Sequence, residues 1–207
     1  MRIIKEHIFP TVLHVADNVL EPEYIDSMIE DILKGKRETE TGGWQSNSNL
    51  MTNKKYKALT DKIHEVTKYI FKDLKFIYDD YFITDMWSNV LVKNEFHKPH
   101  THSNNVLSGV YYLQNGTTND DKIISKADIQ FYDPRPQADV ITPKFEQLTR
   151  DNAHVWFFPS LVNRMILFPS WLQHYVPVNY SDTPRISIAF NVMLKGKLGS
   201  QYQSSEF

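Results

Sequence analysis

Lys98-Pro99-His100-Thr101-His102-Ser103-Asn104-Asn105-Val106-Leu107-Ser108-Gly109-Val110-Tyr111-Tyr112-Leu113 joins a polar, histidine-bearing loop to a run of β-branched and aromatic residues. The run alternates, which predicts a strand with Ser108, Val110 and Tyr112 on one face and Tyr111 on the other. In an extended segment residues i and i+2 point to the same side, so His100 and His102 can aim at one point. Imidazole is the commonest metal ligand among side chains, and this pair invites a metal reading. A chance pair of hydrated histidines is the plain alternative.

Two later stretches extend the pattern. Met165-Ile166-Leu167-Phe168-Pro169-Ser170-Trp171-Leu172-Gln173-His174 reads as an apolar strand, a turn and a histidine. Arg185-Ile186-Ser187-Ile188-Ala189-Phe190-Asn191 reads as a further strand, with Arg185, Ser187, Ala189 and Asn191 on one face. An arginine turned inward from a strand is costly to bury unless it meets an anion. Ser187 shares its face and can donate a second hydrogen bond to the same anion.

Outward from these stretches, Phe82–Val92, Leu107–Leu113, Ala127–Tyr132, Val155–Phe158, Arg164–Phe168 and Arg185–Leu194 read as strands. Asn115-Gly116, Asp133-Pro134-Arg135-Pro136 and Val178-Asn179 punctuate them as turns. Ahead of them, Ile3 to Val19 reads as an edge strand and turn interrupted by Pro10. Glu21-Pro22-Glu23 opens a helix with an apolar stripe of Tyr24, Ile25, Met28, Ile29, Ile32 and Leu33, stopped at Gly35. Residues 36–53 read as a polar loop in which Trp44 packs on the helices, with lining a substrate entrance as the alternative. A second helix runs from about Tyr56 to Leu74, burying Leu59, Ile63, Val66, Ile70 and Leu74. Gly196 to Phe207 reads as a loose polar tail. Two helices ahead of short strands predict a mainly β double-sheet barrel with helices on one outer face.

The 207 residues suffice for one domain with a full core and are few for two. A formal net charge of −2 argues against a generally basic, nucleic-acid-coating surface. With no cysteine, disulfides, zinc-thiolate sites and thiol nucleophiles are excluded. The charged N-terminus does not read as a signal peptide, and no apolar run suggests a membrane span. The expected setting is a reducing cytoplasm, which also suits ferrous iron.

Together the HxH loop, the SGVYYL strand, the FPSWLxH segment and the RxSxxFN strand resemble the 2-oxoglutarate- and Fe(II)-dependent oxygenases. The resemblance is greatest to a family of oxygenases from marine phages and bacteria, over roughly residues 81 to 194. The approach Lys93 to His100 also resembles the loop leading prolyl-hydroxylase-like members into their first metal ligand. It implies a double-stranded β-helix (jelly-roll) core. Residues 1–80 would form the N-terminal strand and supporting helices, 81–194 the catalytic core and 195–207 the tail of a single domain, 1–207. It implies Fe(II) held by His100, His102 and His174, with 2-oxoglutarate and dioxygen as cosubstrates. Succinate and carbon dioxide would leave as a substrate is hydroxylated. Arg185, eleven residues after His174, would hold the distal carboxylate of 2-oxoglutarate, with Ser187 and Tyr112 as supporting donors. Ser108 and Val110 would line the cosubstrate slot, and Asn89 would add a polar contact. One departure stands out: the larger superfamily usually carries Asp or Glu where this chain has His102, although the phage-like family shows HxH there.

Other residues carry blander expectations. His97 reads as a loop residue or one that supports the ligands from behind, and not as a ligand itself; His7, His14, His64 and His154 read as surface or partnered histidines. Trp87, Trp156 and Trp171 read as core, with Trp171 near enough to His174 to wall a pocket. Asp133-Pro134-Arg135 reads as a structural turn, with a place over the pocket against substrate as the alternative. Two alternatives remain at this level. A cupin-like metalloenzyme without a 2-oxo acid also uses HxH and a later His, but residues 103–107 lack the glutamate it normally adds. A non-catalytic β-barrel structural or binding protein with a degenerate site is the other. The substrate is unknown: a protein side chain or small metabolite is favoured over DNA, with a nucleobase left open. Oligomeric state is open, a homodimer included. If the chain is phage-encoded, the cytoplasm would be the host's.

Overall fold

The computed structural model describes residues 1–36, 43–116, 127–200 and 202–206. In chain order its elements are β1 (His14–Asp17), α1 (Pro22–Gly35), β2 (Trp44–Gln45), α2 (Lys57–Asp73), β3 (Asp80–Leu91), β4 (His97–His100) and β5 (Leu107–Gln114). They continue with β6 (Ile129–Tyr132), β7 (Val155–Phe158), β8 (Arg164–Pro169), β9 (His174–Val176), β10 (Arg185–Lys195), β11 (Lys197–Ser200) and β12 (Gln203–Glu206).

Two antiparallel sheets make a jelly roll. A six-stranded sheet runs β1-β8-β5-β10-β3-β2, and a four-stranded sheet runs β4-β9-β6-β7. Alternation along the strands divides the side chains between two cores. From the larger sheet, Met86, Val90, Tyr111, Met165, Ile186 and Phe190 turn outward and join Ile25, Met28, Leu59, Ile63 and Phe71 of the two helices. Val110, Tyr112, Ile166 and Phe168 turn inward and meet Ile129, Phe131 and Leu172. Gly109 has to be small. A β-carbon there would lie 2.2 Å from the Phe190 ring, its neighbour across the β5–β10 register.

The helices form where the apolar spacing places them. In α1, Pro22 occupies the first turn and the buried stripe is Ile25, Met28 and Ile32. Tyr24 and Leu33 lie outside it, about half exposed. In α2, Leu59, Ile63 and Ile70 are fully buried and are joined by Thr67 and Phe71, while Leu74 is 37% exposed. Among the described residues, no helix is long and apolar enough to cross a membrane.

Four expectations change at the margins. Of Ile3–Val19, only His14–Asp17 is strand. It is stapled to the sheet edge by Arg164, whose Nε and Nη2 donate to Asp17 Oδ1 and Oδ2 at 2.6 and 2.9 Å. The loop at 36–53 contains strand β2, paired with Val90 and Asn89, and Trp44 packs partly buried on the helix-side core; its residues 37–42 lie outside the described residues. The expected tail is a β11–β12 hairpin, since its polar residues pair through backbone groups and need no apolar pattern. Trp171 is 58% exposed and not core, because the turn after β8 carries it outward and leaves Leu172 to fill the interior.

Candidate metal centre

The β4–β9 pairing sets His100 directly opposite His174. Just beyond β4, the backbone N–H of His102 donates to the Ser170 carbonyl at 3.0 Å, tying the loop to the turn after β8. The three imidazoles therefore converge from a strand end, a loop and a neighbouring strand. One ligating atom from each lies within 4.8 Å of the others, and the ring centroids are 4.4 to 5.2 Å apart. His174 is buried, with Phe168 and Phe131 against its ring; His100 and His102 are half-buried.

The donor set fits a metal ion. His174 Nδ1 lies 2.9 Å from the Leu172 carbonyl and His100 Nδ1 lies 2.7 Å from the Lys98 carbonyl. A carbonyl only accepts, so each Nδ1 carries the proton and each Nε2 keeps its lone pair for a metal. Burial pulls His174 down to about 3 and, with the neighbouring His100, His102 to about 4, so both are neutral and ready to ligate at neutral pH. Asp85 pulls His102 the other way.

From the triad a cavity of about 710 Å³ runs inward between the sheets to Arg185. Across β3, β10 and β5 the register places Asn89, Ser187 and Tyr112 side by side. Arg185 is 1% exposed, and its Nη1 donates to Ser187 Oγ at 3.1 Å. Its guanidinium carbon sits 5.0 Å from the Tyr112 ring centroid. Among the described residues no carboxylate pairs with it, and Arg185 Nε and Tyr112 Oη are buried without a hydrogen-bond partner. Burial raises the Tyr112 pKa, with Arg185 opposing, so the phenol keeps its proton to donate. A buried cation ringed by unused donors is a receptor for an anion.

The remaining sequence candidates divide. Val110 and Asn89 line the cavity. Ser108 does not: its hydroxyl is 2.8 Å from both Ser170 Oγ and Asn191 Oδ1 in a buried network, so it ties β5 to β10 and to the turn after β8. His97 is not a loop residue. It begins β4, opposite Val176, and lines the cavity. Asp133 and Arg135 pair with each other at 2.8 Å, as a structural turn would. Sequence reasoning missed Gln45, which lines the cavity from the two-residue strand β2. Gln45 Nε2 and Trp87 Nε1 both donate to Asn89 Oδ1, at 2.8 and 3.2 Å, which fixes the Asn89 amide.

A family model described as "Putative 2OG-Fe(II) oxygenase" matches residues 85–191. No curated relative matches the sequence. Among solved structures, a Pseudomonas putida prolyl-4-hydroxylase superposes with a TM-score of 0.63 at 12% identity, covering 90% of this chain and 94% of its own. The non-heme alpha ketoglutarate dependent epimerase SnoN from nogalamycin biosynthesis gives 0.66 at 11%, covering 93% and 81%. The viral collagen prolyl hydroxylase of Paramecium Bursaria Chlorella virus-1 gives 0.55 at 13%, covering 87% and 94%. At these identities the likeness is one of fold.

Proposed function

The chain belongs to the 2OG-Fe(II) oxygenase family, and from that membership we propose that it hydroxylates a C–H bond of a small metabolite or a protein side chain. One observation carries the reading. A triad of histidines and a buried arginine, without a carboxylate partner among the described residues, line one cavity.

His100, His102 and His174 would hold the iron, His100 and His174 through Nε2 because their Nδ1 atoms face backbone carbonyls. Iron and 2-oxoglutarate, when bound, supply the oxidation: dioxygen converts the 2-oxo acid to succinate and carbon dioxide, and its second oxygen atom enters the substrate as a hydroxyl. Arg185 would fork onto the distal carboxylate, because a guanidinium matches two carboxylate oxygens at once. Ser187 accepts from Arg185 Nη1 and so aims the fork, leaving its own O–H free to donate. Tyr112 would donate from the side, and Val110 would wall the slot. Asn89, its carbonyl already engaged twice, has its NH₂ left for a polar group in the cavity.

The cavity wall also includes Trp87, packed near the His102 ring, with exposed Phe96 and Lys98. That mixture suits a substrate with an apolar body and a polar or anionic edge. The net charge of −2 favours such a molecule over a DNA duplex. The cupin alternative has no use for a buried, unpaired arginine, which supports the 2-oxo-acid reading over it. Incubation with Fe(II), 2-oxoglutarate and air tests the proposal. Succinate should form slowly without substrate and stop in His174→Ala. Succinate formation at the rate of iron-free controls would refute it.

A further inference from the structure

The histidine left over by this arrangement is His97. Its Nε2 is buried with no hydrogen-bond partner among the described residues. It is not one of the three histidines whose ligating atoms cluster. A buried polar atom without a partner costs free energy comparable to a lost hydrogen bond, so a fold that keeps one usually satisfies it with something bound.

His97 stands at the arginine end of the cavity. It lies on β4 opposite Val176, and Arg185 lies on β10 opposite Leu91. Val176 and Leu91 pack together in one small cluster, which draws these two strands to the same level. Both His97 and Arg185 line the cavity. Burial lowers the His97 pKa to about 3, and the next largest influence is Arg185, ahead of His100. The imidazole is therefore neutral at neutral pH.

We infer that His97, in its Nε2–H tautomer, donates a hydrogen bond to the distal carboxylate of the cosubstrate, opposite the Arg185 and Tyr112 donors. The inference rests on the 2-oxoglutarate reading above. A carboxylate accepts at about four lone-pair positions, enough for Arg185 Nε, Tyr112 Oη and His97 Nε2, three buried atoms without a hydrogen-bond partner among the described residues. Arg185 and Tyr112 come from the six-stranded sheet and His97 from the four-stranded one. The anion would thus be clamped between the two sheets. His97 would then be a cosubstrate-binding residue, acting on the carboxylate at the end away from the triad.

The test uses the whole chain under nitrogen with Fe(II) bound. Calorimetric titration compares 2-oxoglutarate with 2-oxovalerate, which has the same carbon chain and no distal carboxylate, in wild type, His97→Phe and His97→Gln. The phenyl ring keeps the shape and loses the donor; the glutamine amide restores one. Phe should weaken 2-oxoglutarate binding about ten-fold or more, as loss of a buried hydrogen bond to a charged group does. Gln should recover part of that loss. Neither should change the 2-oxovalerate or Fe(II) dissociation constant. The metal-free Phe variant should melt no lower than wild type, because it removes a partnerless buried atom. If Phe does not fold, Gln still reads out: a loss of 2-oxoglutarate affinity without a loss of 2-oxovalerate affinity supports the inference. Wild-type affinity for 2-oxoglutarate in every folded variant, an equal loss of both acids, or a loss of iron each overturns it. A wild-type protein that does not prefer 2-oxoglutarate to 2-oxovalerate brings down the parent reading as well, which separates the two failures.

Discussion

The guanidinium carbon of Arg185 lies 5.0 Å from the centre of the Tyr112 ring, both side chains are almost wholly buried, and no carboxylate answers the charge among the described residues. The fork geometry, and not charge alone, should matter there. Arg185→Lys keeps the cation and loses the paired donors, so it should raise the 2-oxoglutarate dissociation constant about ten-fold or more. Fe(II) affinity should stay as it is, because the side chain sits away from the triad. Anaerobic titrations of the two ligands measure this separately. Unchanged 2-oxoglutarate binding would make the arginine structural.

The triad predicts a different pattern. Ala at His100, His102 or His174 should each weaken Fe(II) binding beyond the ~10–100-fold typical of losing a residue that merely supports a ligand. His97→Phe should leave it intact. Competition against a metallochromic chelator measures all four. Normal iron binding by His102→Ala would leave two protein ligands and end the three-histidine assignment.

How much of this was legible without coordinates varies with the range of the interactions. The alternation of β10 placed Arg185, Ser187 and Ala189 on the cavity face, and the alternation of β5 separated Tyr112 from Tyr111. Both follow from a two-residue period that local sequence carries. Ser108 obeyed the same parity and still failed as a slot residue, because Ser170 reaches it from the turn after β8 and Asn191 from β10. The Gln45–Asn89–Trp87 cluster was hidden for a similar reason: a strand of two residues, Trp44–Gln45, has no period to read, and only its pairing with β3 brings Gln45 to the cavity. His97 looked like a loop histidine since β4 is short and proline-bearing. Only its pairing with β9 and its place in the cavity lining show otherwise.

Ser108 allows a direct check of that distinction. Ser108→Ala deletes a buried hydroxyl and strands Asn191 Oδ1, which should cost roughly 1–3 kcal/mol of stability. The 2-oxoglutarate dissociation constant should not move. Urea unfolding and anaerobic titration give the two numbers. A selective loss of cosubstrate affinity at unchanged stability would return Ser108 to the slot.

Buried neutral histidines also predict an acid-sensitive apo protein. Burial holds His97 and His174 at about 3 and His102 at about 4 in the folded chain, against roughly 6.5 when unfolded. Below pH 6.5 the unfolded chain takes up protons that the folded one refuses. The stability is therefore fully present above that pH and is lost as pH falls toward 4. Urea midpoints of metal-free protein should drop between pH 7 and pH 5, and drop less in His97→Phe. A flat profile would mean that these side chains are hydrated.

The central claim is that one cavity holds iron at the histidines and 2-oxoglutarate between them and Arg185. It is tested most directly by adding Fe(II) and then 2-oxoglutarate under nitrogen while recording the visible spectrum. A weak charge-transfer band should rise with 2-oxoglutarate in the wild type and be absent in His174→Ala. In Arg185→Lys it should need about ten-fold more cosubstrate to appear. No band in the wild type at saturating iron and 2-oxoglutarate would contradict the account.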